Sequence, residues 1–284
     1  VAGASSGAIA GALIAAGSTP EELRQVLTDL DWRALTTSEI TRRLAGAPVV
    51  GPLVRRLRDG RTLDPQTWIA GLLEDKGVVT WADLKFDDAG DWIHPRERYR
   101  LVVRCLDVVN HRVVRLPWDY HRYGLDADTQ SVAEAVRASM SVPLIFEPVT
   151  LGDRDNGGGL LIDGALGTGF SVDTLDRHDG GDSTHPTFAL QLLSQPRRHD
   201  WPGSDFALVR SMVQTMIDTG NEMAPVGQCD ERRTIALDTS HVRTLDVRIT
   251  PQEEDALFEV GRSTMATFLD AWDHQKWARD CRGA

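Results

Sequence analysis

Two short stretches bring together residue types able to do chemistry. The first is Val1-Ala2-Gly3-Ala4-Ser5-Ser6-Gly7-Ala8-Ile9, a Gly-x-Ser-x-Gly pattern with Gly3, Ser5 and Gly7 in the fixed places. A strand that turns sharply into a helix strains the backbone at the serine. Bulky residues two before and two after it would clash, so glycine suits both positions. Such a turn exposes the hydroxyl beside a helix N-terminus, where unpaired N–H groups, that of Ser6 among them, favour developing negative charge. Ser5 is therefore a candidate nucleophile, although a plain strand–helix turn has the same pattern. The second stretch is Leu160-Leu161-Ile162-Asp163-Gly164-Ala165. It places a carboxylate at the end of a short apolar strand, where α/β sheets put their sites. A simple Asp-Gly turn reads the same way.

A serine nucleophile needs a base within hydrogen-bond reach. One solution is a Ser–His–Asp triad of the α/β-hydrolase kind. The other omits histidine, and a carboxylate takes the proton directly. The eight histidines, at 94, 111, 121, 178, 185, 199, 241 and 274, sit mostly in polar or charged surroundings that suit surface residues. His241 is the one placed loosely like a late triad histidine.

The elements that must position these groups are legible in part. Val1-Ala2 reads as the tail of a buried strand. The small, apolar run Ala8 to Ala16 reads as a helix packed tightly on a sheet. Thr19-Pro20-Glu21-Glu22 is a capping box that opens a second helix, with Leu23, Val26, Leu27 and Leu30 as its stripe. Asp64-Pro65 begins a third helix, with Trp68, Leu72 and Leu73 on one side. Thr80 to Leu84 reads as a short helix start. Residues 99–116 form two strands joined by a turn at Asn110-His111. Residues 129–139 form a helix, and Val142 to Val149 is an extended segment bounded by prolines. The next strands are expected at 160–162 and 186–193, before a helix at 204–223 with Phe206, Val209, Val213, Met216 and Ile217 on one face. Strands near 233–237 and 244–249 follow, then a second capping box at Thr250-Pro251-Gln252-Glu253. No internal repeat occurs. Strands mixed with helices throughout indicate an α/β fold.

Composition narrows the function classes. At 284 residues the chain has ample material for a core. Its net charge of −11 and pI of about 5.2 argue against a nucleic-acid partner. No run of about 18 apolar residues exists to span a membrane. Three widely spaced cysteines, Cys105, Cys229 and Cys281, include no C-x-x-C. They speak against a disulfide framework or a zinc site, and for a reducing compartment such as the cytoplasm. Against the acidic background, Arg42, Arg43, Arg55, Arg56, Arg58 and Arg61 form a local basic, apolar patch. It reads as a solvated cover or as a segment in peripheral contact with a lipid surface.

The combination of Gly3-Ala4-Ser5-Ser6-Gly7 with Asp163-Gly164-Ala165 resembles the patatin-like phospholipase family. That family pairs a Gly-x-Ser-x-Gly serine with an aspartate in an Asp-Gly-Gly/Ala motif. Residues 135–149, Thr80-Trp81-Ala82-Asp83-Leu84 and Leu257 to Leu269 with Gly261 are also similar to it. The match covers roughly residues 1–273. After the aspartate the family often shows Asn-x-Pro, where this chain has Gly169-Phe170-Ser171.

The resemblance implies a three-layer α/β/α domain with a central, mostly parallel sheet. In that reading residues 1–176 form the catalytic core, and 177–284 complete the same domain. It also implies a Ser5–Asp163 dyad that hydrolyses phospholipids or other fatty-acyl esters through an acyl-serine intermediate. Gly3, Ser6, Gly7, Gly164 and Ala165 shape the site, and neither metal nor cofactor is required. The family carries a glycine-rich oxyanion segment upstream of its serine, so a chain beginning at Val1 is expected to be an incomplete, N-terminally truncated catalyst of bacterial type. The alternatives are a Ser–His–Asp esterase and a non-catalytic lipid- or protein-binding module that keeps the fold. The acyl chain, the head group and the oligomeric state are not written in the motifs.

Overall fold

The computed structural model describes residues 1–30, 64–86, 93–167, 172–176, 185–193, 201–222, 227–242 and 249–282. The arginine-rich stretch within 31–63, Gly169-Phe170-Ser171, and all but the last residue of the strand expected at 244–249 lie outside the described residues. The chain divides into two compact units, Val1–Gly167 and Thr168–Ala284.

The first unit contains β1 (Ala2–Gly3), α1 (Ser6–Ala15), α2 (Pro20–Asp29), α3 (Pro65–Glu74), β2 (Val102–Asp107), β3 (Arg112–Leu116), α4 (Val132–Ser139), β4 (Val149–Leu151) and β5 (Gly159–Asp163). Its five strands form one mixed sheet. The expected mostly parallel sheet is corrected here. Only β1 and β2 run parallel, whereas β2–β3, β2–β5 and β4–β5 are antiparallel. For β2–β3 and β4–β5 the cause is connection length. Parallel neighbours need a long crossover, but β2 and β3 are joined by the Val108–His111 turn and β4 and β5 by residues 152–158. His111 adopts φ 52° in the first turn, and Gly152 and Gly157 take positive φ in the second.

Register explains how the strands serve the site. β3 pairs with Val103 through Asp107 and so occupies one edge of β2. β1 and β5 must therefore share the other edge. They lie end to end along it, Gly3 opposite Val103 and Asp163 opposite Cys105. The C-terminal ends of β1 and β5 face each other across the backbone of Arg104.

The core of this unit joins Ala8, Ile9, Ala12 and Leu13 of α1 to Leu101, Val103, Cys105, Val114, Leu116 and Leu161 on the sheet, and to Val132, Ala135, Val136 and Ala138 of α4. The small residues of α1 let its backbone approach closely: a Cβ on Gly11 would sit 3.3 Å from Leu101. The Thr19–Glu22 capping box forms as expected, and Leu23, Val26 and Leu27 are half-buried beside buried Leu30. On α3, Ile69 and Leu73 are buried while Trp68 and Leu72 are only partly covered. Thr80 to Leu84 is a single 3₁₀ turn, Trp81–Leu84, with Trp81 fully buried.

The extended segment expected at 142–149 is instead a compact turn, in which Leu144 adopts φ 74°, and the strand begins only at Val149. Pro143 and Pro148 have no N–H for a ladder. The buried Arg137 guanidinium holds the turn, donating to Ser141 Oγ at 2.8 Å and to the Glu147 carbonyl at 3.2 Å, and lying 5.2 Å from the Phe146 ring centroid.

The second unit contains β6 (Ala189–Leu193), α5 (Asp205–Glu222), α6 (Gln228–Glu231), β7 (Thr234–Asp238), α7 (Pro251–Ala271) and α8 (His274–Arg282). β6 and β7 form a parallel pair. On α5, Val213 and Ile217 are buried but Val209 and Met216 are exposed, so the covered stripe is narrower than the sequence suggests. The Thr250–Glu253 capping box opens α7. Phe188, Phe268 and Trp272 pack edge-to-face and stacked, with centroids 5.0–5.6 Å apart.

Cys229 and Cys281 form a disulfide across 52 residues, so the expectation of unpaired cysteines is overturned. α6 and α8 bring the two Cα atoms to 5.6 Å, a proximity that spacing along the chain does not reveal. The reducing-compartment reading loses its basis, since disulfides persist where conditions are oxidising. Cys105 is free and buried in the first unit. Among the described residues, no helix is long and apolar enough to cross a membrane.

Candidate active site

β1 ends at Gly3, and α1 begins at Ser6, so the chain reverses within Ala4-Ser5. Ser5 pays for this with φ 54° and ψ −127°, a conformation that L-residues rarely adopt. Gly3 makes the close return feasible, because a Cβ there would lie 2.2 Å from the Gly7 carbonyl oxygen. Gly7 does not mirror this. A Cβ at Gly7 would meet nothing within 4 Å, so the expectation that both glycines avoid a clash holds only at Gly3. The crowded group is the carbonyl of Gly7, not its Cα.

Ser6 is the first residue of α1, and its N–H is among the four with no acceptor inside the helix. Ser6 and Gly7 are both exposed. The mouth of the turn is thus open and edged by the positive end of the helix.

Asp163 arrives from the opposite direction. It is the last residue of β5 and is fully buried. Its N–H donates to the Ser141 carbonyl at 3.1 Å. One carboxylate oxygen accepts the Ala165 N–H at 2.7 Å, and the other accepts the Ser5 hydroxyl at 2.7 Å. Gly164 cannot carry a side chain, since a Cβ would sit 2.1 Å from the Arg104 carbonyl oxygen. Gly164 and Ala165 therefore allow the tight turn, and the Ala165 N–H holds the carboxylate rotamer. Burial raises the Asp163 pKa, and the hydrogen bonds from Ser5 and Ala165 counter this in part, leaving it at about 6. A base poised there is largely ionised at neutral pH and basic enough to accept a hydroxyl proton in a transition state.

The structure thus brings together two groups 158 residues apart in sequence. It also brings in a residue that motif reading passed over. Ser139, fully buried at the end of α4, accepts the Ser5 N–H at 3.0 Å and donates to the Arg104 carbonyl at 2.6 Å. The sequence signals for it were a pair of serines, Ser139 and Ser141, in a mostly apolar stretch, and its place within the family-like segment 135–149. Among the described residues, no histidine is bonded to Ser5 or Asp163. His241 is exposed in the turn after β7, close enough to Asp238 to help lower its pKa after the hydrogen bonds from Ser240. Among the described residues, no group of three or more His, Cys, Asp or Glu side chains is arranged to hold a metal.

A family model for patatin-like phospholipases matches residues 1–176, well over half of the chain and inclusive of both turns. The chain belongs to the patatin-like phospholipase family. A Bacillus subtilis (strain 168) relative, the uncharacterized protein YqhO, is 29% identical over 282 residues, covering 96% of this chain and 89% of that protein. Among solved structures, the crystal structure of VipD from Legionella pneumophila is similar in fold, with a TM-score of 0.50 and 15% identity. That similarity covers 96% of this chain, which spans 62% of the VipD chain. Membership in the family implies a lipid acyl hydrolase.

Proposed function

We propose that this chain is a serine acyl-ester hydrolase in which Ser5 is the nucleophile and Asp163 its base, acting on phospholipids or other fatty-acyl esters. The observation that carries the reading is the 2.7 Å hydrogen bond from the Ser5 hydroxyl to a buried carboxylate whose pKa is raised to about 6. Ser5 Oγ attacks the ester carbonyl as its proton passes to Asp163. The tetrahedral intermediate collapses to an acyl-serine, and the departing alcohol takes the proton back. Water then attacks the acyl-serine with Asp163 again as proton acceptor, releasing the fatty acid and restoring the Ser5 hydroxyl. In this reading the Ser6 N–H and the positive end of α1 supply part of the oxyanion stabilisation. Gly3 and Gly164 let the two turns close on each other; Ala165 and Ser6 contribute backbone donors.

The apolar substrate class follows from family membership. Arg42, Arg43, Arg55, Arg56, Arg58 and Arg61 add a sequence-based element, electrostatic contact with an anionic lipid surface, which salt would weaken. Hydrolysis of medium-chain p-nitrophenyl esters and of phosphatidylcholine vesicles tests the reading. Activity lost in Ser5→Ala at an unchanged melting temperature is the expected result. Equal hydrolysis by wild type and Ser5→Ala overturns Ser5 as the nucleophile, and none by wild type favours the non-catalytic binding module instead.

A further inference from the structure

The edge of β2 has a gap. β1 stops opposite Val103 and β5 stops opposite Cys105, so no strand faces Arg104 between them. Two backbone groups there are bonded by a side chain: the Arg104 carbonyl and the N–H of Ser5, which has already left β1. Buried groups of this kind are costly when unpaired. Ser139 serves both. A serine in a helix commonly bonds back to the carbonyl four residues earlier, as Ser263 Oγ of α7 does to Glu259 at 2.7 Å. Ser139 instead directs its hydroxyl out of α4, to a carbonyl 35 residues away in sequence and to an N–H 134 residues away.

We propose that Ser139 is a positioning residue for the nucleophile: its buried hydroxyl clamps the strained Ser5 backbone to the gap in β2 and so keeps Ser5 Oγ on the Asp163 carboxylate. This role rests on the hydrolase reading above. Ser5 is held at two points, its N–H on Ser139 and its hydroxyl on Asp163. Its φ of 54° lies outside the comfortable regions for serine, so a backbone released at the N–H relaxes and swings the hydroxyl away. Ser139 touches no reacting atom and acts wholly through Ser5.

The test is the rate at which a short-chain fluorophosphonate labels Ser5 in the full chain, per folded molecule and across pH. In Ser139→Ala labelling slows about 10- to 100-fold, the usual cost of a misplaced reacting group. The acid limb of its pH profile moves above the wild-type position near 6, because the Ser5 hydrogen bond that holds the Asp163 pKa down is weakened. Ser139→Thr, which keeps the hydroxyl, recovers most of the rate. Tyr123→Phe, which removes another buried hydroxyl in the same unit, at Asp107, lowers the melting temperature and leaves labelling unchanged. Should Ser139→Ala not fold, Ser139→Cys replaces the hydroxyl by a poor hydrogen-bonding group of similar size and slows labelling in the same way. Wild-type labelling rates in the folded Ala or Cys variant, with an unmoved acid limb, overturn the role. A wild-type chain that does not label at Ser5 overturns the hydrolase reading and this role with it.

Discussion

Asp107 and Asp163 sit at opposite ends of the same β2–β5 ladder, Asp107 across from Leu161 and Asp163 across from Cys105. Both are essentially excluded from water. Their environments nevertheless push their pKa values in opposite directions. At Asp107, burial raises the pKa, but hydrogen bonds from the Asn110 side chain, the Tyr123 hydroxyl and the Asn110 and Val109 backbones outweigh it, and the net shift is downward. The Leu160 N–H adds a further donor at 3.2 Å. At Asp163 a deeper burial is opposed by two donors, Ser5 and Ala165, and the net shift is upward to about 6. Five donating groups make an anchor ionised at neutral pH, whereas two, at greater depth, leave a base. Deeper burial and fewer donors together separate a carboxylate that can take a proton from one that ties a hairpin.

The largest effect expected from breaking this contrast is on chemistry. Asp163→Asn should lower Ser5-dependent ester hydrolysis by about 10³-fold or more, because the amide cannot accept the proton. In the wild type the same group should make the rate rise with pH through about 6 and then level off. An Asp163→Asn enzyme with near-wild-type kcat in a p-nitrophenyl ester assay would assign the base elsewhere.

The next effect is on stability, at the other end of the ladder. Asp107→Asn should destabilise the fold by about 2–4 kcal/mol in urea unfolding, since an amide cannot accept from all five groups and leaves buried donors unpaired. Its hydrolysis per folded molecule should stay near wild type. The depressed pKa of Asp107 gives stability that is present at neutral pH and is lost as pH falls through its folded-state value, below the usual carboxylate range.

Asp163 behaves in the opposite sense. A carboxyl whose pKa rises from 3.8 to about 6 on folding contributes stability below pH 3.8, and loses it as pH rises through 6. At pH 7 that loss amounts to about 3 kcal/mol. Asp163→Asn should therefore stabilise the protein by about 1–3 kcal/mol at pH 7–8 while it removes activity, and the gain should vanish near pH 4. A urea midpoint that falls at pH 8 would show that the carboxylate carries structural bonds as strong as those of Asp107. The smallest effect is expected from His241→Ala, which should leave kcat and the pH profile unchanged. Loss of hydrolysis in that variant, with the fold intact, would install a histidine base in place of Asp163.

Local chemistry was legible in the sequence wherever neighbours along the chain settle the structure. The capping boxes at Thr19 and Thr250 depend on residues three apart, and both formed. The hairpin at Asn110-His111 and the strand ending at Asp163 depend on a turn and an apolar run of a few residues. Family likeness points to a mostly parallel sheet, but the short connections at 108–111 and 152–158 require antiparallel neighbours. The compact form of 142–149 is not legible in its own residues, because it depends on Arg137, a buried cation on the preceding helix.

The sequence by itself determined that a serine would sit on a sharp strand–helix turn and that an aspartate would end a strand, since glycine placement and apolar runs act within a few residues. The tertiary structure aligns these two ends along one edge of β2, where they meet at 2.7 Å. It alone decided that Ser139 bridges the gap between them, and that Cys229 and Cys281 pair. It also set the Asp163 pKa, because the water a carboxylate loses and the donors it gains come from residues far along the chain. Patterns in a sequence specify what a short segment does with its own backbone. Burial and hydrogen-bond partners are properties of the assembled fold.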